Sequence, residues 1–160
     1  MISLRPARED DEAALAKLDE RTWTPDASPA PPPPAGTPFF GDGTRPGDVI
    51  VAEHDGVVCG YVRLGEGFGI PAHRHVVVVD GLAVDPDRRR LGIARQLVEA
   101  AVAEARRRGA RKVTLRVLGP NAGARRVYER CGFAVEGVLR GEFRIDGTDV
   151  DDILMARSLA

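Results

Sequence analysis

Between Asp85 and Ala94 the chain reads DPDRRRLGIA, a stretch whose residue types and spacing could bind an anion. Arg88, Arg89 and Arg90 stand at the head of a run in which Leu91, Ala94, Leu97, Val98, Ala101, Val102 and Ala105 keep to one helical face as far as Gly109. Positive side chains at a helix start oppose its dipole, at a cost of roughly a few tenths of a kcal/mol each. A sequence that accepts this cost is expected to dock an anion there. Gly92, in the first turn, lets a ligand approach backbone N–H groups that have no partner within the helix. Arg89, Arg90, Gly92, Ile93 and Ala94 are therefore expected to cradle a pyrophosphate. The second triplet, Arg106, Arg107 and Arg108, lies in the last turn, where positive charge suits the dipole and needs no ligand to explain it.

The elements that must position this cradle can be read on either side of it. Val76 to Val84 (VVVVDGLAV) is β-branched and broken only by Asp80-Gly81, the pattern of a buried strand with a bulge or a close backbone approach. Further strands are expected at Met1–Ala7, Val49–Glu53, Val57–Leu64 and Lys112–Val117, with two long ones at the end joined at Asp146-Gly147. His54-Asp55-Gly56 reads as a hairpin turn. Helices are expected at about Asp10–Arg21 and Ala122–Cys131. Eight of the twelve prolines fall between Pro25 and Pro46, so Thr22–Gly47 is read as an extended loop, with Phe39, Phe40 and Trp23 either anchoring it on the core or meeting a substrate. The order β-α-β-β-β-α-β-α-β-β gives an α+β architecture, a mixed sheet of about seven strands flanked by helices, in one domain over residues 1–160.

Two motifs carry a family resemblance. The string LAVDPDRRRLGIARQL resembles the acetyl-CoA signature of the GNAT N-acetyltransferases, R/Q-x-x-G-x-G/A, with Arg89, Gly92 and Ala94 in the fixed places. Downstream, NAGARRVYERCGF resembles the family's N-x-x-A-x-x-x-Y-x-x-x-G-F element through Asn121, Ala124, Tyr128, Gly132 and Phe133. The tail, with Glu136-Gly137-Arg140 and Asp146-Gly147-Asp151-Met155, looks like the subgroup of ribosomal-protein N-terminal and small-amine or amino-acid acetyltransferases.

The resemblance implies the GNAT fold, acetyl-CoA as acetyl donor, and direct attack by a primary amine with no acyl-enzyme. It also implies a splayed central strand whose Leu82, Ala83 and Val84 offer backbone groups to the pantetheine and polarise the thioester carbonyl. Asn121 either caps its helix or holds a pantetheine amide, and Ala124 permits close approach. Tyr128 is either an amphipathic core tyrosine or the general acid. A phenol of pKa about 10 suits the protonation of a thiolate whose thiol has a pKa of about 8.5.

The acceptor must lose a proton before it attacks. An unperturbed lysine (pKa about 10.4) is neutral in only about one molecule in 2,500 at pH 7, an α-amine (pKa about 7.8) in more than about one in ten. Many family members place a glutamate on the central strand where this chain has Val78. Asp80, two residues on, is the nearest replacement as base, with His73, His75, Glu53 and Glu66 as further candidates. The missing glutamate leans the reading towards an α-amino or small-molecule acceptor. Asp149, Asp151 and Asp152 either attract a cationic acceptor or are polar positions on a strand edge.

Composition bounds the remainder. There are 21 Arg against two Lys, with a net charge of −1, so no global field recruits nucleic acid or membrane. Cys59 and Cys131 form no C-x-x-C pair or metal-like cluster and read as reduced core thiols, with no metal expected. The absence of a signal-like opening or an 18-residue apolar run points to the cytoplasm. A homodimer through the two final strands is left open. The competing reading is a catalytically silent acetyl-CoA-binding regulatory module.

Overall fold

In the computed structural model, which describes residues 1–160, both Asp-Gly pairs close hairpins. Asp55 and Gly56 sit at φ 53° and 80°, and Asp146 and Gly147 at 50° and 78°, the paired positive angles of a two-residue turn whose twist matches its strands. The strands are β1 (Ile2–Pro6), β2 (Val49–His54), β3 (Val57–Gly65), β4 (Val76–Val84), β5 (Lys112–Leu118), β6 (Ala134–Ile145) and β7 (Thr148–Ser158). The helices are α1 (Glu12–Thr22), α2 (Ile93–Arg107) and α3 (Ala122–Arg130).

All seven strands form one sheet in the order β1-β2-β3-β4-β5-β7-β6. Only β4 and β5 pair in parallel, because α2 carries the chain back between them; the other neighbours are antiparallel. The larger core lies between the sheet and α2 with α3. Ile93, Leu97, Val98, Ala101, Val102 and Ala105 of α2 are buried there against Val77, Val79, Val113 and Leu115. The smaller core, on the opposite face, packs Leu15 and Leu18 of α1 on Val49, Val51, Tyr61 and Ala83. No helix is long and apolar enough to cross a membrane.

The expected elements are present, with two shifted starts. Helix α2 begins at Ile93, not Leu91. Arg90 and Gly92 both adopt positive φ, which breaks the helix ahead of Ile93 and leaves Leu91 49% exposed. Helix α1 begins at Glu12 because Glu9–Asp11 form a tighter 3-10 turn.

The Pro-rich segment has no helix or long strand between Trp23 and Arg45, yet it is fastened to the core. The Glu12 carboxylate accepts the N–H groups of both Phe39 (2.8 Å) and Phe40 (2.9 Å). The Phe39 ring is buried edge-on against Tyr61, with centroids 4.9 Å apart. Hydrogen bonds to a charged acceptor contribute about 1.5–3 kcal/mol each. Glu12→Ala is therefore expected to destabilise the fold by about 2 kcal/mol or more and to speed limited proteolysis within residues 24–38. Unchanged cleavage there would mean that the aromatic contacts alone hold the segment.

Candidate functional site

A break in strand pairing creates the site. Strand β4 pairs with β5 only from Val76–Lys112 to Val79–Leu115. On its other edge Arg63 pairs with Gly81 and Leu64 with Val79, so Asp80 is an extra residue, a β-bulge. Bulges sharpen the local twist and bend the strand, and β4 parts from β5 at this point. From Asp80 to Val84 it keeps only β3 as a neighbour, and its backbone on the β5 side has no strand partner. Splaying was expected from the family resemblance; its geometry follows from the bulge.

At the end of the parted strand the chain makes a nest of donors. None of the backbone N–H groups from Arg89 to Arg95 donates to an acceptor in the chain. Gly92, at φ 76°, needs glycine for its conformation, and the space where a side chain would stand is open. Successive N–H groups around left-handed residues, at a helix start, make an anion-binding concavity. The turn is held from behind by Asp85, which is buried and accepts from the Asp87 N–H (2.9 Å), Arg21 (2.9 Å) and Arg88 (3.1 Å). Burial alone would raise the Asp85 carboxyl, but the Asp87 N–H and the Arg21 charge outweigh it and hold it below the ordinary carboxylate range. Arg88 is thus tied to Asp85, while Arg89 and Arg90, beside it in the cleft lining, have no acidic partner.

One cleft of about 1270 Å³ takes in the splayed strand, the nest and the start of α3. Asp80, Leu82, Ala83, Val84, Arg89, Arg90, Gly92, Ile93, Ala94, Asn121 and Ala124, all predicted from the sequence, line it together. Tyr128 does not line it, although its neighbours Ala124 and Val127 do. The Tyr128 ring is buried near Phe133, with centroids 6.0 Å apart. Its hydroxyl makes no hydrogen bond, yet the only fully enclosed side-chain polar atom without a partner is Nε of Arg125, so the hydroxyl keeps an open side. Burial pushes the phenol up to about 12, so it is protonated at neutral pH. Asn121 caps α3 by accepting from the Ala124 N–H at 3.2 Å, and its amide N–H₂ remains free.

Other candidates lie elsewhere. His75 faces a separate shallow hollow at the far end of β4 with Arg111 and Lys112, Glu53 is bound to Arg5, and His73 packs edge-on against Phe68. The tail acids are committed internally. Asp152 is buried against Arg116, Asp149 pairs with Arg144, and Asp151 accepts the Gly141 N–H. Trp23 bonds within the Pro-rich segment to Ala30 and lines the cleft, which fits the second of its two readings and not an anchor on the core.

Residues 13–133 match the Acetyltransferase (GNAT) family. The chain belongs to that family. The [ribosomal protein bS18]-alanine N-acetyltransferase of Escherichia coli is 36% identical over 75 residues, which is 47% of this chain and 51% of that protein. The chain thus spans about half the length of this curated relative. The smu.2055 protein of Streptococcus mutans superposes with a TM-score of 0.88 at 27% identity, covering 99% of both chains. The yncA protein of Salmonella typhimurium, solved with its cofactor acetyl-CoA, gives 0.84 at 22% identity, covering 100% of this chain and 95% of that one. The seven-stranded mixed sheet with three helices is the GNAT fold.

Sequence reasoning missed one wall of this GNAT cleft. Asp19 of α1, Tyr61 and Arg63 of β3, and Pro29, Pro31 and Pro33 of the Pro-rich segment line it as well. The alternation that puts Tyr61 and Arg63 on one face was visible, but the helix that covers that face was not assigned to it. Arg63 Nε donates to Asp80 Oδ1 at 2.7 Å, and Nη2 donates to the Asp80 carbonyl at 3.1 Å. The bulge leaves Asp80 on the α1 side with Arg63, opposite the face that buries Val77 and Val79, and so on the face of Val78. Inorganic pyrophosphate is expected to bind at the nest with an affinity that falls with salt. Arg89→Ala should weaken it about tenfold, the loss of one charge-assisted contact. Equal affinity for the parent and the variant by calorimetry would remove Arg89 from the anion site.

Proposed function

We propose that this GNAT domain transfers an acetyl group from acetyl-CoA directly to a primary amine, on a small molecule or a peptide N-terminus. The observation that carries the reading is the parted β4 backbone, Asp80 to Val84, in one cleft with the Arg89–Arg95 nest. The nest has the donors a pyrophosphate needs, and the free strand edge has those needed by a pantetheine arm and a developing oxyanion. Acetyl-CoA supplies an activated thioester; the chain holds it, orients the amine and moves protons.

Direct transfer is supported by where the thiols lie. Cys59 and Cys131 are buried outside the cleft, and burial raises both above the usual thiol range, so neither offers a thiolate for an acyl-enzyme. Tyr128 is proposed as the acid that protonates the leaving thiolate. Asp80 is proposed as the carboxylate that meets and orients the amine at the reacting strand.

Free-thiol release from acetyl-CoA should be measured across amino acids, polyamines, aminoglycosides and peptides carrying either a free α-amine or only a lysine amine. Release with one class identifies the acceptor class. Acetyl-CoA binding without release on any amine would favour a silent binding module. Tyr128→Phe is expected to keep acetyl-CoA affinity and lower turnover about 10- to 1,000-fold; unchanged turnover would sink Tyr128 as the proton donor.

A further inference from the structure

We propose that Asp19, on α1, is the general base that takes the proton from the acceptor's ammonium group, with Tyr61 fixing its carboxylate. The proposal rests on the reading of the cleft as an amine acetyltransferase site. Tyr61 spans the distance between α1 and the reacting strand. It pairs across the sheet with Ala83, its ring is buried, and its hydroxyl donates to Asp19 Oδ1 at 2.5 Å. That leaves Asp19 Oδ2 without a hydrogen bond, on a half-buried side chain that lines the cleft.

Asp19 and Asp80 are the only carboxylates that line the cleft, and their partners differ in kind. Asp80 is held by the Arg63 guanidinium, so protonating it breaks an ion pair. Asp19 is held by a neutral phenol, so protonating it breaks no ion pair. The ionisable groups around Asp19 are Tyr61 and Arg63 of β3 and, beyond them, Asp80 of β4. Next to it on α1, Arg21 is turned away to Asp85 and Asp87. The lining residues of the Pro-rich segment bring no ionisable side chain. Burial raises the Asp19 carboxyl above its ordinary range despite the Tyr61 hydroxyl and the Arg63 charge. Burial also pushes the Tyr61 phenol far up, so it remains a donor.

A proton passes from the ammonium nitrogen to Asp19 Oδ2, and the freed lone pair forms the C–N bond at the acetyl carbonyl. The C–S bond breaks, the thiolate takes a proton from Tyr128, and the amide nitrogen's surplus proton restores the phenol. Asp19 then returns its proton to solvent.

The test compares the wild-type chain with Asp19→Asn and Tyr61→Phe, using acetyl-CoA binding by calorimetry and pH profiles of kcat/KM for an amine that the wild type acetylates. Asp19→Asn should bind acetyl-CoA normally and lose about a hundredfold in kcat, the lower end of general-base contributions. It should lose the acid limb set by Asp19 and keep only a rise that follows the acceptor amine's own ionisation, which moves when an amine of different pKa is used. Tyr61→Phe removes a hydrogen bond that lowers the Asp19 pKa, so its acid limb should move to higher pH. A raised pKa means that the ionised carboxylate destabilises the fold at neutral pH and ceases to do so once pH falls below the unfolded value. Asp19→Asn should therefore melt higher than the wild type at pH 7 and lose that advantage in acid. An acid limb that stays at its wild-type position in Asp19→Asn, whatever the pKa of the amine, overturns the assignment while leaving the acetyltransferase reading intact. A wild type that binds acetyl-CoA but acetylates no amine overturns both.

Discussion

One extra residue in β4 sets the site. Because Asp80 is unmatched against β3, the strand turns at Gly81 and cannot follow β5 beyond Val79. A sheet interior normally satisfies every backbone group through its neighbours. Here the pairing stops in mid-sheet, and the unpaired edge faces a cleft instead of solvent. The bulge also brings Asp80 and Gly81 to the α1 side together, beside Tyr61 and Arg63. A Cβ on Gly65 would stand 2.5 Å from Asp80 Oδ2, so the neighbouring strand is cut to fit that carboxylate.

Charge divides the cleft in two. Around the nest its lining residues include Arg88, Arg89, Arg90, Arg95 and Arg130, while the two carboxylates sit on the α1 side with Arg63. The chain as a whole carries a charge of only −1, so the separation is local and owes nothing to a global field. An anionic arm and a cationic group can thus enter one cavity without competing for the same surface. Asp85 keeps the arginine half in place by tying α1 to the turn before α2 through Arg21 and Arg88.

The Pro-rich segment completes the wall that the carboxylates begin. It has no repeating backbone hydrogen bonds to stabilise it, so its position depends on a few contacts: Glu12 on two N–H groups, Phe39 on Tyr61, and Arg63 on the Thr44 hydroxyl. Tyr61 serves both sides, with its ring against Phe39 and its hydroxyl on Asp19. The loop and the proposed base therefore share one buried side chain.

Local rules were sufficient for much of this protein. Element order, both Asp-Gly turns, the arginine–glycine nest and the Asn121 cap follow from neighbours in the chain, because turn angles, helix periodicity and unpaired helix donors are properties of a few consecutive residues. Leu91 marks where that reasoning overreached: its spacing fits the helical face, but positive φ at Arg90 and Gly92 starts the helix two residues later. The possibility that a bulge lay at Asp80-Gly81 was also visible. Which residue was extra, and that β5 would part there, depended on pairing with Arg63 and Leu115, distant in sequence. Asp19 was one acid among several on a helix, and nothing nearby distinguished it from Glu12 or Glu20. Its standing comes from Tyr61, 42 residues away, and from the burial that only the packing of α1 on β3 supplies.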